Sequence, residues 1–148
     1  MAMRLQHCGL LVADLARSRG FYGDVLGLEE IPRPPNFTFG GAWFRVGEDE
    51  IHLLDEAETT GRAGMPEPGR SLEGGLATHI AFEVADLSVM QERLAVSGVI
   101  PVSGPMPRGD GVVQLFLRDP DGYVVELFER TGEDQRDAPE RAAVRDLG

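Results

Sequence analysis

The sequence predicts an α+β fold made of two copies of a βαβββ module, and three observations lead to this prediction. First, "HCGLLVADL" at residues 7–15 aligns without gaps on "HIAFEVADL" at residues 79–87. Second, each copy is followed by a segment with helical periodicity, and third, two strand-like segments around a turn come after it. The period is longer than the roughly 20–50 residues of solenoid repeats, so we expect two halves that face one another across a pseudo-twofold axis.

Each repeated strand leads into a predicted helix. Asp14 and Asp86 are suitable N-cap residues, because a carboxylate accepts hydrogen bonds from the free N–H groups of a first helical turn. Apolar residues follow at helical spacing in both halves: Leu15, Tyr22, Val25 and Leu26 in the first, and Leu87, Met90 and Leu94 in the second. Gly27 and Gly98 then stand where a left-handed residue commonly ends a helix.

The later part of each half is typical of β-strands. Residues 41–56 and residues 111–129 each suggest strand, turn and strand, and Asp-Pro-Asp-Gly at 119–122 is an explicit turn signal. We therefore expect one domain over residues 1–130, with modules at about 5–56 and 77–130 and a linker at 57–76. The charged tail, residues 131–148, is either frayed or a short surface helix near residues 138–147.

Composition excludes several classes of partner. The 148 residues carry a formal net charge of −11, which disfavours binding to nucleic acid and to anionic membranes. No apolar run reaches the roughly 18 residues of a membrane span, and the N-terminus does not have the pattern of a secretory signal. The single cysteine, Cys8, cannot form an internal disulfide, so we expect a cytoplasmic protein.

The three histidines occupy equivalent places in the two halves. Alternation along the strands puts His7 and His79 on the face opposite the apolar residues that should pack on the helices. Aligning the final strands puts His52 of the first half at the position of Glu126 in the second. A single strand histidine is usually a hydrogen-bonded core residue, but two matched pairs of this kind indicate a metal site.

Three imidazoles and one carboxylate suit a divalent transition metal, namely Zn, Ni, Fe, Mn or Co, better than Mg²⁺ or Ca²⁺. Four protein ligands can close a structural zinc site, whereas a five- or six-coordinate ion keeps positions open for substrate. The same alternation leads us to expect a set of substrate-lining residues: Leu11, Leu54, Glu83 and Phe128.

Three passages, "HCGLLVADLARSRGFYGDVLGL", "THIAFEVADL" and "RDPDGYVVELFE", resemble the vicinal oxygen chelate superfamily. It contains glyoxalase I, methylmalonyl-CoA epimerase, extradiol dioxygenases, fosfomycin-modifying enzymes and bleomycin-binding proteins. The resemblance implies two βαβββ modules whose mixed sheets form a cup around a metal held by His7, His79 and Glu126, with His52 at the remaining position. His52 departs from the pattern, because glyoxalase I usually has glutamate or glutamine there. The resemblance also implies a homodimer, sometimes with ligands from both chains.

The resemblance implies a metal-dependent lyase or isomerase, acting on a small carbonyl substrate through a metal-stabilised oxyanion or enediolate. Isomerisation also needs a base to remove a proton next to the carbonyl. Glu126 is the first candidate for this catalytic role, and Glu83 is the second.

Two other functions remain open. An Fe-dependent extradiol-type dioxygenase needs adjacent open positions on the metal, which His52 as a fourth ligand would crowd. A metal-free binding protein of the bleomycin-resistance type would use the acidic charge and an aromatic groove of Phe37, Phe39, Trp43 and Phe44. A thiol cofactor such as glutathione would need cationic partners, for which Arg33, Arg45 and Arg108 are candidates.

Overall fold

The computed structural model describes residues 2–59, 61–64 and 78–132. The first module contains β1 (His7–Val12), α1 (Leu15–Arg19), a π-helical segment (Gly20–Val25), β2 (Glu29–Ile31), β3 (Gly41–Val46), β4 (Asp49–Asp55) and a 3₁₀ turn (Glu56–Glu58). The second contains β5 (His79–Glu83), α2 (Leu87–Val96), β6 (Ser103–Pro107), β7 (Val112–Arg118) and β8 (Val124–Arg130). The predicted pair of βαβββ modules is confirmed. Most of the predicted linker and tail, including the helix near residues 138–147, lies outside the described residues.

Each module forms one four-stranded mixed sheet. The strand orders are β1-β4-β3-β2 and β5-β8-β7-β6, so both sheets have the same topology. In each, the first strand pairs in parallel with the last strand, and the remaining pairs are antiparallel. The first and last strands of a module are therefore neighbours, which brings residues far apart in sequence side by side.

A hydrophobic core covers one face of both sheets. Alternate strand residues are buried there, as period-2 patterning predicts, and they pack with residues of both helical segments. Its strand members include Leu10, Val12, Phe44, Ile51, Leu53, Phe82, Leu115, Leu117, Val125 and Leu127. The opposite face of the two sheets, which we call the site face, carries the intervening residues. None of the described helices is both long enough and apolar enough to span a bilayer.

The predicted helix ends are confirmed. Asp14 accepts a hydrogen bond from the backbone N–H of Arg17 at 3.0 Å, and Asp86 accepts one from Val89 at 3.1 Å. Gly27 and Gly98 adopt φ angles of 77° and 71°, a region that glycine enters without steric cost.

The first helix differs from the regular helix that its periodicity predicts. After five α-helical residues it continues as a π-helical segment, in which the N–H of Leu26 donates to the carbonyl of Phe21 at 2.9 Å. Ser18 and Tyr22 are both buried on its inner side, where their hydroxyls donate to carboxylates of the turn between β7 and β8. Apolar spacing does not encode these distant polar partners, so it cannot predict the wider turn.

Candidate metal-binding site

His7 and His52 lie beside one another on the site face of the first sheet. The parallel register of β1 and β4 places Gly9 opposite His52, and the two imidazole rings stack with centroids 4.3 Å apart. A Cβ at Gly9 would lie 3.4 Å from Cδ1 of Leu54. We call His7 and His52 the first donor pair.

An aromatic cluster borders the first donor pair. Trp43 lies opposite His52 in the register of β3 and β4, and their rings are stacked at 3.7 Å with an interplanar angle of 3°. Phe37 contacts both Phe39 and Trp43 edge-on. The expectation that Phe44 joins this groove is wrong, because Phe44 is 1% exposed in the core on the opposite face of β3.

Each histidine of the first donor pair has one polar neighbour. Nδ1 of His7 lies 2.7 Å from Oε1 of Gln6, and Nε2 of His52 lies 2.6 Å from Oε2 of Glu50. The hydrogen bond with His52, together with smaller contributions from Gln6 and His7, holds the pKa of Glu50 below its usual value. Glu50 was not predicted from the sequence, although its spacing of two residues from His52 already placed it on the same face of the strand.

His79 and Glu126 form the second donor pair. Nε2 of His79 lies 2.9 Å from Oε2 of Glu126, and the Glu126 side chain is only 4% exposed. The register places Ala81 opposite Glu126 on β5 and Phe116 opposite it on β7. A small residue on one side and an aromatic on the other repeat the surroundings of His52.

Arg108 neutralises the buried carboxylate of the second donor pair. Its Nη1 lies 3.1 Å from Oε1 of Glu126, and its Nη2 lies 2.7 Å from Asp110. Both oxygens of Glu126 therefore have a partner, one histidine and one arginine. Burying a carboxylate without such partners would cost several kcal/mol.

The two donor pairs occupy equivalent positions in the two modules, as the repeat predicts. Within the described residues of one chain, however, no three His, Cys, Asp or Glu side chains lie close enough together to hold a metal ion. The convergence of all four donors on one ion therefore stays a prediction. The donor chemistry itself fits a divalent transition metal, and Nδ1 of His52 has no partner among the described residues.

Comparison with known proteins assigns a family to this arrangement. Residues 4–127 match the profile of the Glyoxalase/Bleomycin resistance protein/Dioxygenase superfamily. The chain belongs to this superfamily. This finding confirms the resemblance to the vicinal oxygen chelate proteins and the α+β fold that it implies.

Individual relatives agree with the superfamily assignment. Glyoxylase I 4 of Arabidopsis thaliana is 32% identical over 83% of this chain and 68% of its own length. A lactoylglutathione lyase of Haemophilus influenzae is 33% identical over 86% of this chain and 93% of its own length. The crystal structure of a glyoxalase family protein from Bacillus anthracis superposes with a TM-score of 0.69 at 25% identity, covering 88% of this chain and 98% of that one.

The four predicted substrate-lining residues of this superfamily member lie on strands that also carry a donor. Leu11 and Leu54 are register partners on β1 and β4, beyond the first donor pair. Phe128 lies on β8 close to two guanidinium groups, with Arg108 5.3 Å and Arg130 5.8 Å from its ring centre. Glu83 accepts a hydrogen bond from Arg130 at 3.1 Å and is 53% exposed.

A buried polar network, which the apolar patterning of the sequence does not predict, also joins the two modules. The Tyr22 hydroxyl donates to Asp119 at 2.7 Å, and Asp119 also accepts from the backbone of Asp121 and Tyr123. Burial raises the pKa of Asp119 above its usual value, and burial next to Asp119 raises the pKa of Tyr22. The turn signal at 119–122 identified the turn but not its buried partner in the other module.

Proposed function

We propose that the protein is a metal-dependent lyase or isomerase of the glyoxalase type that acts on a small carbonyl compound. The observation that carries this proposal is the placement of two donor pairs, His7 with His52 and His79 with Glu126, at equivalent positions in two sheets. The relatives named glyoxylase I and lactoylglutathione lyase, which align with most of this chain, support this class of reaction.

We expect the complete site to need two chains. Within one chain the donors form two separate pairs, and among the described residues no third donor lies close enough to either pair to complete a metal site. A homodimer completes a four-donor site when the first donor pair of one chain faces the second donor pair of its partner. Symmetric dimers are the commonest oligomers, and such an arrangement gives two identical sites per dimer.

A divalent ion held there would supply positive charge next to the substrate oxygen on which negative charge develops. The chain itself supplies the base. Glu126 is the group to accept the proton from the carbon next to the carbonyl, because its carboxylate is buried and adjoins a donor histidine. His79 contacts one oxygen of this carboxylate and Arg108 the other, so both partners orient the base.

Glu83 is less suited to the role of base. Its side chain is about half exposed and engaged by Arg130, so solvent competes for its carboxylate. The structure therefore favours Glu126 over Glu83, and the two glutamates provide a matched pair of variants.

The test compares Glu126→Gln with Glu83→Gln in protein purified without chelator and analysed for its metal content. Lactoylglutathione, the compound named in the relatives' activity, is the first substrate, followed by a panel of small carbonyl compounds. Proton exchange next to the carbonyl, followed by NMR in deuterated water, should fall about 10²- to 10⁴-fold in Glu126→Gln and stay near wild type in Glu83→Gln. Unchanged exchange in Glu126→Gln would remove Glu126 from the role of base.

A further inference from the structure

We propose that Glu50 is a positioning residue for His52: its carboxylate holds the proton of the imidazole on Nε2 and leaves Nδ1 as the metal-binding nitrogen. This inference rests on the proposed function, because it gives His52 the metal as its partner. It adds a residue that touches neither the metal nor the substrate and acts through the ligand.

The contact between the two side chains is short and well shielded. Oε2 of Glu50 lies 2.6 Å from Nε2 of His52, and the side chains are 24% and 12% exposed. Both residues project from the same face of β4, since they are two positions apart on a strand. The rings of Trp43 and His7 cover the two faces of the His52 ring, so it has little freedom to turn away.

The chemistry of a neutral imidazole determines which ring nitrogen of His52 remains available to bind a metal. One ring nitrogen carries a proton and the other carries a lone pair, and an ionised carboxylate only accepts. A carboxylate at Nε2 therefore selects the tautomer with the proton on that atom. Nδ1 then holds the lone pair, and among the described residues it has no hydrogen-bond partner.

Glu50 also compensates for the unusual ligand type at position 52. A histidine donor is neutral, so a site with three histidines and one carboxylate carries less negative charge than one with two carboxylates. A carboxylate hydrogen-bonded to a ligating histidine raises the basicity of the ring and fixes its orientation. Glu50 thus places a negative charge in direct contact with His52, on the ring nitrogen that does not bind the metal.

The test measures two properties of Glu50→Ala and Glu50→Gln. Zn²⁺ affinity, measured by competition with a chromophoric chelator, should fall about 10- to 100-fold in Glu50→Ala and less in Glu50→Gln, which keeps an oxygen acceptor. Nitrogen-15 NMR of metal-free protein should show the proton on Nε2 of His52 in the wild type and a mixture of tautomers in Glu50→Ala. Glu48→Gln is the control, because it removes the same charge from an exposed side chain two residues away.

The outcomes separate this inference from the proposed function. Wild-type Zn²⁺ affinity in a folded Glu50→Ala variant, with losses in His7→Ala and His79→Ala, would overturn the role of Glu50 and leave the metal site intact. Failure of the wild type to bind Zn²⁺ at all would overturn both. If Zn²⁺ binding shifts no nitrogen resonance of His52 and is lost in Glu50→Ala, Glu50 itself is the ligand. That result would also overturn the inference. If NMR of the metal-free wild type shows the His52 proton on Nδ1, the inference is overturned as well.

Discussion

At the scale of single residues, the hydrogen bond from Tyr22 to Asp119 is a buried polar contact between the two modules. Tyr22 is fully buried, and its hydroxyl donates a hydrogen bond to Asp119, a residue that is only 5% exposed. Tyr22→Phe leaves that carboxylate one donor short, so we expect the free energy of unfolding to fall by about 1–3 kcal/mol. Urea denaturation followed by circular dichroism measures the change.

The second tyrosine of the chain provides the matched control. The Tyr123 hydroxyl donates to the carbonyl of Leu11 at 2.9 Å and accepts from the N–H of Gly64, so both of its partners are uncharged backbone groups. Since hydrogen bonds to charged groups are the stronger class, Tyr123→Phe should cost less than Tyr22→Phe. Equal losses in the two variants would contradict the special weight given to Asp119.

At the scale of elements, the turn between β7 and β8 holds the second module against the first. Asp121 in this turn accepts hydrogen bonds from the backbone of Ala13 at 3.0 Å and from the Ser18 hydroxyl at 3.2 Å, both in the segment that leads from β1 into the first helix. Asp121→Ala should therefore lower the free energy of unfolding by about 1–3 kcal/mol. Hydrogen exchange should speed up at residues 13–18 before it does so elsewhere.

Asp24→Ala is the control for the turn variant. It removes the same charge from an exposed residue of the adjacent π-helical segment, so its effect should stay within about 0.5 kcal/mol. If Asp121→Ala lowered the free energy of unfolding no more than Asp24→Ala does, the turn would not be a structural link between the modules.

The elements also show how far the sequence predicts this molecule. Strand faces and helix caps were predictable, because alternation and capping are local rules, and the repeat then placed His52 and Glu126 at equivalent positions. The contact of Arg108 with Glu126 was not predictable, because it depends on the path of the loop between β6 and β7. The π-helical turn was missed for a related reason, since its polar partners lie in the other module.

At the scale of the whole molecule, the duplication explains why each chain carries two pairs of candidate metal donors. The modules share one hydrophobic core, so they pack together as one body on the side away from the donors. Each module nevertheless presents its own donor pair on its own site face. A dimer that joins the first donor pair of one chain to the second donor pair of its partner uses both pairs of both chains.

This arrangement predicts complementation between two inactive variants. His7→Ala damages the first donor pair and His79→Ala the second, so neither homodimer should bind Zn²⁺ tightly. After unfolding and refolding an equal mixture, half of the dimers are mixed, and each has one site with both pairs intact. Zn²⁺ capacity should therefore recover to about one quarter of the wild-type value. A site formed within one chain would recover nothing.

The reverse mixture provides the control. Wild type refolded with an equal amount of the double variant His7→Ala/His79→Ala should bind about one quarter of the Zn²⁺ bound by wild type at the same total chain concentration if sites form across two chains, because every mixed dimer then lacks one pair at each site. Sites formed within one chain would instead give about one half of the Zn²⁺ bound by wild type at that same total chain concentration. Sites across two chains give a higher Zn²⁺ capacity in the first mixture and a lower one in the second than sites within one chain do. Incomplete refolding lowers the capacity of both mixtures, so it cannot imitate the expected pair of results. A value of one half in the second mixture, with no recovery in the first, would place the metal site within a single chain.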